Sequence, residues 1–371
     1  MKEFKAFWDA VNDPSAVAAG IKSKAGKKIM GHVCSYAPEE LIHGAGFHPM
    51  RIFPGQAEVS LADNHLQSYC CSLVRGILED CLAGNLDYLS GMVFPHTCDS
   101  IMRLSDIIRL KGQFEFFADV LVPSKLDTAS AKAYLGQVLE RFRQDLERAE
   151  DREVTDREIA ASIRLFNSIR KNLSRLFELK SKHPGLIFGK DLYAVVRGAM
   201  IMDRNELARH LERLVQKLEE KEPPPFAGRR LVLAGSACTM PEIHSLIEQG
   251  GGAIVADDLC TGQRWADGQI DPDMPPMEGL VERYAQRMVC PAKHAGIHAR
   301  GDRLLEIAKE HGAHGVIFLL VKFCDPHAFD LPYLKSVLDQ AGIKSQVLEL
   351  PEHQQGMGQA ATRLETFIQM I

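Results

Sequence analysis

Short apolar runs alternating with amphipathic stretches of helical period govern what this chain can fold into. Eight runs read as buried strands: Lys28 to Val33, Met50 to Phe53, Gly91 to Phe94, Phe117 to Val122, Arg230 to Ala234, Ala253 to Ala256, Gly315 to Val321 and Ser345 to Leu350. They are apolar, often β-branched and bounded by Gly or Pro, the pattern of a parallel sheet covered on both faces. Between them lie Glu39 to Ala45, Ser100 to Leu110, Pro241 to Gln249, Arg303 to His311 and Leu331 to Ala341, each with helical periodicity. Such alternation means βαβ units and an α/β fold.

The stretch from Thr128 to Lys221 breaks the pattern. It is charged and helical in period over Ala131 to Glu150, Asp156 to Leu179, Leu192 to Met200 and Arg204 to Lys221, with a break at Ser181 to Gly185. Glu222-Pro223-Pro224-Pro225 then reads as a stiff linker. A chain of 371 residues favours two or three domains. The expected division is an α/β half over 1–127, a helical insert over 128–222 and a second α/β half over 223–371. The halves echo each other: Gly91-Met92-Val93-Phe94 leads to Cys98-Asp99, and Gly315-Val316-Ile317-Phe318 leads to Cys324-Asp325. The two spacings are unequal, so this is a hint of duplication.

The cysteines carry the functional signal. Nine are present, and the start Met1-Lys2-Glu3-Phe4 lacks the apolar core of a secretory signal, so a cytoplasmic protein without structural disulfides is expected. Taken singly, a free cysteine is most often a small core residue. Here Cys34, Cys98, Cys238, Cys260 and Cys324 each fall at or just past the end of an expected strand. Open α/β sheets place their ligands along that edge, so the positions favour a metal or redox site over scattered packing. No C-x2-C pair of the kind zinc sites use is present. Thiolates far apart in sequence suit an iron–sulfur cluster held between domains. A net charge of −5 argues against a nucleic-acid coat, and no apolar run is long enough for a membrane span.

Several blocks, in order, resemble the 2-hydroxyacyl-CoA dehydratase and benzoyl-CoA reductase family, the 2-hydroxyglutaryl-CoA dehydratase D-component type. They are His32 to Ile42 with Gly44-Ala45-Gly46, Ser68 to Arg75, Val93 to Asp99, Asp257 to Arg264, Val289 to His294, Leu320 to Pro326 and Gly358 to Arg363. The helical insert carries no such signature. The resemblance implies two Rossmann-like domains gripping a 4Fe-4S cluster, with Cys71, Cys98 and Cys324 as its ligands. Cys71 fits the family block better than Cys70. Cys34, Cys260 and Cys290 resemble a second set that, in some branches, completes an 8Fe-9S double cubane. The implied partners are a homologous second subunit or a second copy of the chain, an acyl-CoA substrate, and a separate ATP-hydrolysing iron–sulfur activator. ATP is not expected to bind here, since the chain has no phosphate-binding lysine loop.

The implied chemistry is a one-electron reduction of a thioester to a ketyl radical. Three thiolates on a four-iron cube leave one iron open for it. Three functions follow: an acyl-CoA dehydratase or benzoyl-CoA-type reductase subunit, a homodimeric double-cubane reductase of small molecules, or a non-catalytic partner subunit. Supporting candidates surround the cysteines. Ser35 and Tyr36 are placed to donate to sulfur or substrate, although Ser35 equally suits a cap for the helix near Pro38. Glu39 and Glu40 suit the positive end of that helix. His96 is a candidate proton donor beside Cys98. Thr261 and Gly262 offer backbone N–H groups, and Arg264, Lys293, His294 and Lys322 offer positive charge or solvated surface. Phe47, His48 and Met50 fit either an aromatic pocket or the core. Cys81 reads as core and Cys238 as packing or support.

Overall fold

The computed structural model describes residues 2–55, 58–293, 295–296, 298–350 and 357–371. Its strands are β1 Ile29–His32, β2 His48–Arg51, β3 Gly91–Pro95, β4 Phe116–Val120, β5 Arg229–Gly235, β6 Gly252–Asp258, β7 Gly315–Val321 and β8 Lys344–Leu350. They form two four-stranded sheets, ordered β2-β1-β3-β4 and β6-β5-β7-β8, and every pairing is parallel. Every residue of β1, β3 and β6 is buried, as expected of strands covered on both faces. The α/β reading of the sequence therefore holds, with two Rossmann-like sheets.

Both sheets share one order: second strand, first, third, fourth. This strengthens the echo between the halves, because β3 and β7 occupy equivalent positions and lead to Cys98 and Cys324. The chain reverses direction between β1 and β3 and again between β5 and β7. At such a switch point the crevice opens beyond the carboxyl ends of the strands.

The second strand lies upstream of its expected place at Met50 to Phe53. Pro49 masked it, but β2 is an edge strand, where a missing N–H breaks no ladder. Helix Asp325–Gln340 begins six residues before the expected Leu331, starting with Pro326 in its first turn and tolerating Pro332 inside. Helix Ala299–Glu310 also starts upstream of its expected Arg303. Helices Lys5–Asn12, Pro14–Ala25, Pro276–Gln286 and Met357–Met370 add to those expected. Two of these open on prolines, which read as breakers in sequence yet fit a first helical turn.

Helices Ala129–Glu150, Asp156–Lys182, Gly189–Ala199 and Arg204–Glu219 occupy the charged segment. Asp156–Lys182 opens on a capping box: Glu158 N–H donates to the Thr155 hydroxyl at 3.3 Å, and Thr155 N–H donates back to the Glu158 carboxylate at 2.8 Å. Its Ile169, Leu173 and Leu176 share one buried cluster with Ile29 of the first sheet and Leu231 of the second. That apolar continuity joins the two sheets through the helical segment. Among the described residues no helix is long and apolar enough to cross a membrane.

Candidate metal centre

Cys71, Cys98 and Cys324 occupy one kind of position. Each immediately precedes a helix: Ser72–Leu82, Asp99–Lys111 and Asp325–Gln340 respectively. Unpaired N–H groups and the positive end of the helix dipole favour a thiolate there. Burial pushes the Cys71 thiol up to about 11 and the Cys98 thiol up to about 12, and it raises Cys324 as well. The amide groups of Val74, Ile101 and His327 act in the opposite direction on the three sulfurs. A metal resolves this conflict, since coordination deprotonates a thiol outright.

The other three cysteines lie in the same neighbourhood. The Cys98 thiol is within electrostatic reach of Cys71, Cys34 and Cys290, and Cys324 of Cys71, Cys260 and Cys98. Cys290, pushed up to about 11 mainly by burial, also feels Cys260 and Cys34. Electrostatic influence thus links all six cysteines across both halves. Cys70 packs in the core with its sulfur 4.0 Å from the Gln67 side-chain amide oxygen, and Cys81 is part-buried against the same core.

Cations accompany the thiols. Arg264 is fully buried, donates to Asp258 Oδ1 at 2.6 and 2.9 Å, and points Nη1 at Cys260 Sγ from 3.1 Å. Burial opposes its charge, but Asp258, Cys260 and Cys290 outweigh that and raise its pKa. Lys293 is buried too, donates to the Val122 carbonyl at 2.9 Å, and lies within reach of Cys34, Cys290 and Cys98. Arg51, at the end of β2, donates to the Cys260 carbonyl at 2.6 Å and feels Cys260 and Cys34. Arg264 and Lys293 are therefore not solvated surface, whereas Lys322 is exposed. His294 lies outside the described residues.

Backbone features fix the loops that bear the cysteines. Gly235 ends β5 with φ +147°, and a Cβ there would fall 2.1 Å from the Leu319 carbonyl oxygen on β7. Asp257, buried and pushed up to about 7 chiefly by burial, accepts the N–H groups of Leu259 at 3.1 Å and Gln263 at 2.8 Å, clamping the Cys260 turn. A Cβ on Gly262 would lie 1.9 Å from the Asp257 carboxylate. Phe323, just before Cys324, holds φ at +61°, a conformation rarely adopted by a bulky residue.

The other sequence candidates fall as follows. The helix after Ser35 is preceded by Pro38 with no side-chain cap, so Ser35 does not cap it. Arg287 instead donates to the Ser35 hydroxyl at 2.9 Å and carbonyl at 2.7 Å, and its guanidinium lies 4.3 Å from the Tyr36 ring centroid. Glu39 and Glu40 open the helix as the sequence reading had them, and both are buried. Glu39 accepts from Arg204 at 2.8 Å and Trp265 at 2.7 Å, and Glu40 pairs with Arg170. His96 Nε2 lies 2.8 Å from Asp119 on β4, which orients the imidazole from the neighbouring strand. The Gly262 N–H donates to the Leu259 carbonyl at 3.2 Å, so it is not free as the sequence reading had it, while the Thr261 hydroxyl accepts the Cys238 N–H at 2.9 Å. Phe47, His48 and Met50 are buried core residues. Arg51 and Arg287 escape sequence analysis, because an arginine closing an apolar strand or following a helix carries no motif.

Among the described residues no three Cys, His, Asp or Glu side chains stand close enough to share one metal ion. A four-iron cube asks for something else, with each protein sulfur on a different corner. Thiols as donors, helix-end placement and buried cations fit such an anionic cluster.

Comparison with known proteins agrees with the sequence resemblance. Over its full length the chain is 29% identical to the (R)-phenyllactyl-CoA dehydratase beta subunit of Clostridium sporogenes, covering 100% of this chain and 99% of that one. It is 28% identical to a benzoyl-CoA reductase subunit from Thauera aromatica, covering 83% of this chain and 81% of the relative. It is 27% identical to the beta subunit of (R)-2-hydroxyglutaryl-CoA dehydratase from Acidaminococcus fermentans, covering 96% of each. The family model described as 2-hydroxyglutaryl-CoA dehydratase, D-component matches residues 34–371, so the chain belongs to that family of dehydratase and reductase subunits.

Proposed function

We propose that this chain is the iron–sulfur subunit of an acyl-CoA dehydratase or benzoyl-CoA-type reductase, with a 4Fe-4S cluster on Cys71, Cys98 and Cys324. The observation that supports this reading is that these three helix-end cysteines, drawn from both halves, act on one another electrostatically. A bound cluster supplies single electrons of low potential to a thioester, the start of a ketyl-radical route. The chain's own groups do the rest. Arg264 holds Cys260 and neutralises charge, Lys293 stands over Cys34 and Cys290, and Arg287 fixes Ser35 beside the cluster pocket. Tyr36 is buried beneath the Arg287 guanidinium, and burial raises its phenol.

The relatives are all named as subunits, which supports a multi-subunit assembly, and the reading adds an ATP-hydrolysing activator as electron donor. The test joins anaerobically purified chain, its partner subunit and an activator with a 2-hydroxyacyl-CoA. ATP-dependent formation of the enoyl-CoA, abolished in Cys98→Ser, is expected. An assembly that binds iron but turns over no acyl-CoA would contradict it.

A second reading has its own observation. Cys34, Cys260 and Cys290 lie within reach of one another and of the first set, as an 8Fe-9S double cubane requires. In that case the chain is a homodimeric reductase of small molecules.

A further inference from the structure

A cleft of about 1280 Å³ is lined in part by residues close in sequence to two of the expected ligands. It reaches Ser72, next to Cys71, and Val321, which ends β7 toward Cys324. Its wall is aromatic, with Phe53, Tyr88, Phe188 and Tyr193. At its back stands Arg197, from helix Gly189–Ala199, only 8% exposed. The guanidinium carbon lies 3.3 Å from the Phe53 ring centroid.

Arg197 is bonded unlike the other buried arginines here. Arg264, Arg283 and Arg287 each donate to carboxylate or carbonyl oxygens of the protein. Arg197 Nε and Nη1 are buried with no acceptor. The ionisable groups acting on it are Tyr193, Arg51 and Cys238, with no carboxylate among them. The acids on the cleft wall are Glu58, Asp191 and Glu242; none acts on Arg197, Asp191 being engaged by the Trp8 indole N–H at 3.0 Å and Glu242 acting on Tyr193 and Cys238. Arg51 adds a second positive charge, 4.9 Å from the Phe53 centroid, and its own Nε also lacks an acceptor.

A guanidinium cannot escape this position by losing its proton. Stacking on Phe53 satisfies its face but leaves the in-plane N–H groups unmet, and a buried charged donor without an acceptor is costly. An oxyanion arriving along the guanidinium edge removes that cost with charge-assisted hydrogen bonds. We infer that Arg197 is the anchor of an oxyanion-binding subsite, which takes the carboxylate or phosphate of a ligand whose apolar body lies along the aromatic wall. That this ligand is the substrate rests on the function proposed above; the binding does not. The anion has two sources, a carboxylate at the far end of an acyl group or a phosphate of coenzyme A.

The test is equilibrium binding to the full chain, purified without oxygen, by titration calorimetry without turnover. The probes are benzoate, its neutral isostere benzamide, and coenzyme A. Benzoate binding without benzamide binding identifies a carboxylate subsite, and coenzyme A binding alone identifies a phosphate subsite. In either case Arg197→Met weakens the anion about tenfold or more, the loss expected for charge-assisted hydrogen bonds, while Arg197→Lys retains part of it. Equal binding of benzoate and benzamide with none of coenzyme A, or anion affinity unchanged in Arg197→Met, overturns the inference. So does failure of both anions to bind. The comparison of acid with amide on the wild-type chain stands even if Arg197→Met does not fold. Iron counted on the same samples keeps a failure of the cluster reading distinct from a failure of this one.

Discussion

Glu39 shows how far one residue's environment departs from its local sequence. Two acids opening a short helix fit the dipole, yet both carboxylates are buried and joined to distant arginines. Burial alone would raise the Glu39 pKa, but His32, Arg204 and the Trp265 N–H together bring it down to about 2. His32 is itself pushed down to about 4, chiefly by burial, so at neutral pH Arg204 is the cation that holds Glu39. Arg204→Met strands that carboxylate and costs about 3–5 kcal/mol of stability at neutral pH, read by urea unfolding. The sign with pH follows from linkage. The wild-type contribution is present above the unfolded carboxylate value of about 4.3 and fades as pH falls toward the folded value. In the variant Glu39 escapes by protonating, so the gap from wild type narrows on acidification. A gap that widened in acid would refute the pairing.

The strand-end positions of Cys34, Cys98, Cys238, Cys260 and Cys324 were legible in sequence because a strand end is marked by where an apolar run stops, whereas Cys71 and Cys290 were singled out only by the family resemblance. The buried arginines were not legible there. Arg197 and Arg204 come from helices far along the chain and Arg287 follows one, and only tertiary packing reveals what they meet. Ser35 illustrates the same gap, since its hydroxyl belongs to Arg287, 252 residues away in sequence, rather than to the adjacent helix.

At the scale of elements, the recurring device is a strand, a tight turn and a helix with cysteine at the junction. Cys98 after β3 and Cys324 after β7 are its two copies. Sequence periodicity found many of the helices but missed Lys5–Asn12, Pro14–Ala25, Pro276–Gln286 and Met357–Met370, and prolines misplaced several ends. Pro49 lies in an edge strand and Pro332 inside a helix, and both positions depend on neighbours rather than on local preference. The β7 turn is the strained copy, through Phe323 at φ +61°. Phe323→Gly relieves that conformation and leaves stability equal or higher. Phe323→Val, β-branched, costs about 1–3 kcal/mol, measured by denaturant unfolding. Equal stability of the two variants would show that the turn is not strained.

At the scale of the whole molecule, two sheets of identical order face a shared space, with one apolar cluster reaching from either sheet into the helical segment. Neither half alone supplies the three expected ligands: Cys71 and Cys98 come from the first and Cys324 from the second. Strand–helix alternation made the two sheets legible, whereas their relative placement depends on helices whose sequence carries no signature. The most direct test of the account is iron and acid-labile sulfide per polypeptide in anaerobically purified protein, with single Cys→Ser variants alongside. A 4Fe-4S centre predicts about four irons, lost on changing Cys71, Cys98 or Cys324 alike, although they lie in different halves. About eight irons, lost from all six variants, would select the double cubane; a folded protein without iron, or one that keeps its iron in all three variants, would contradict the account.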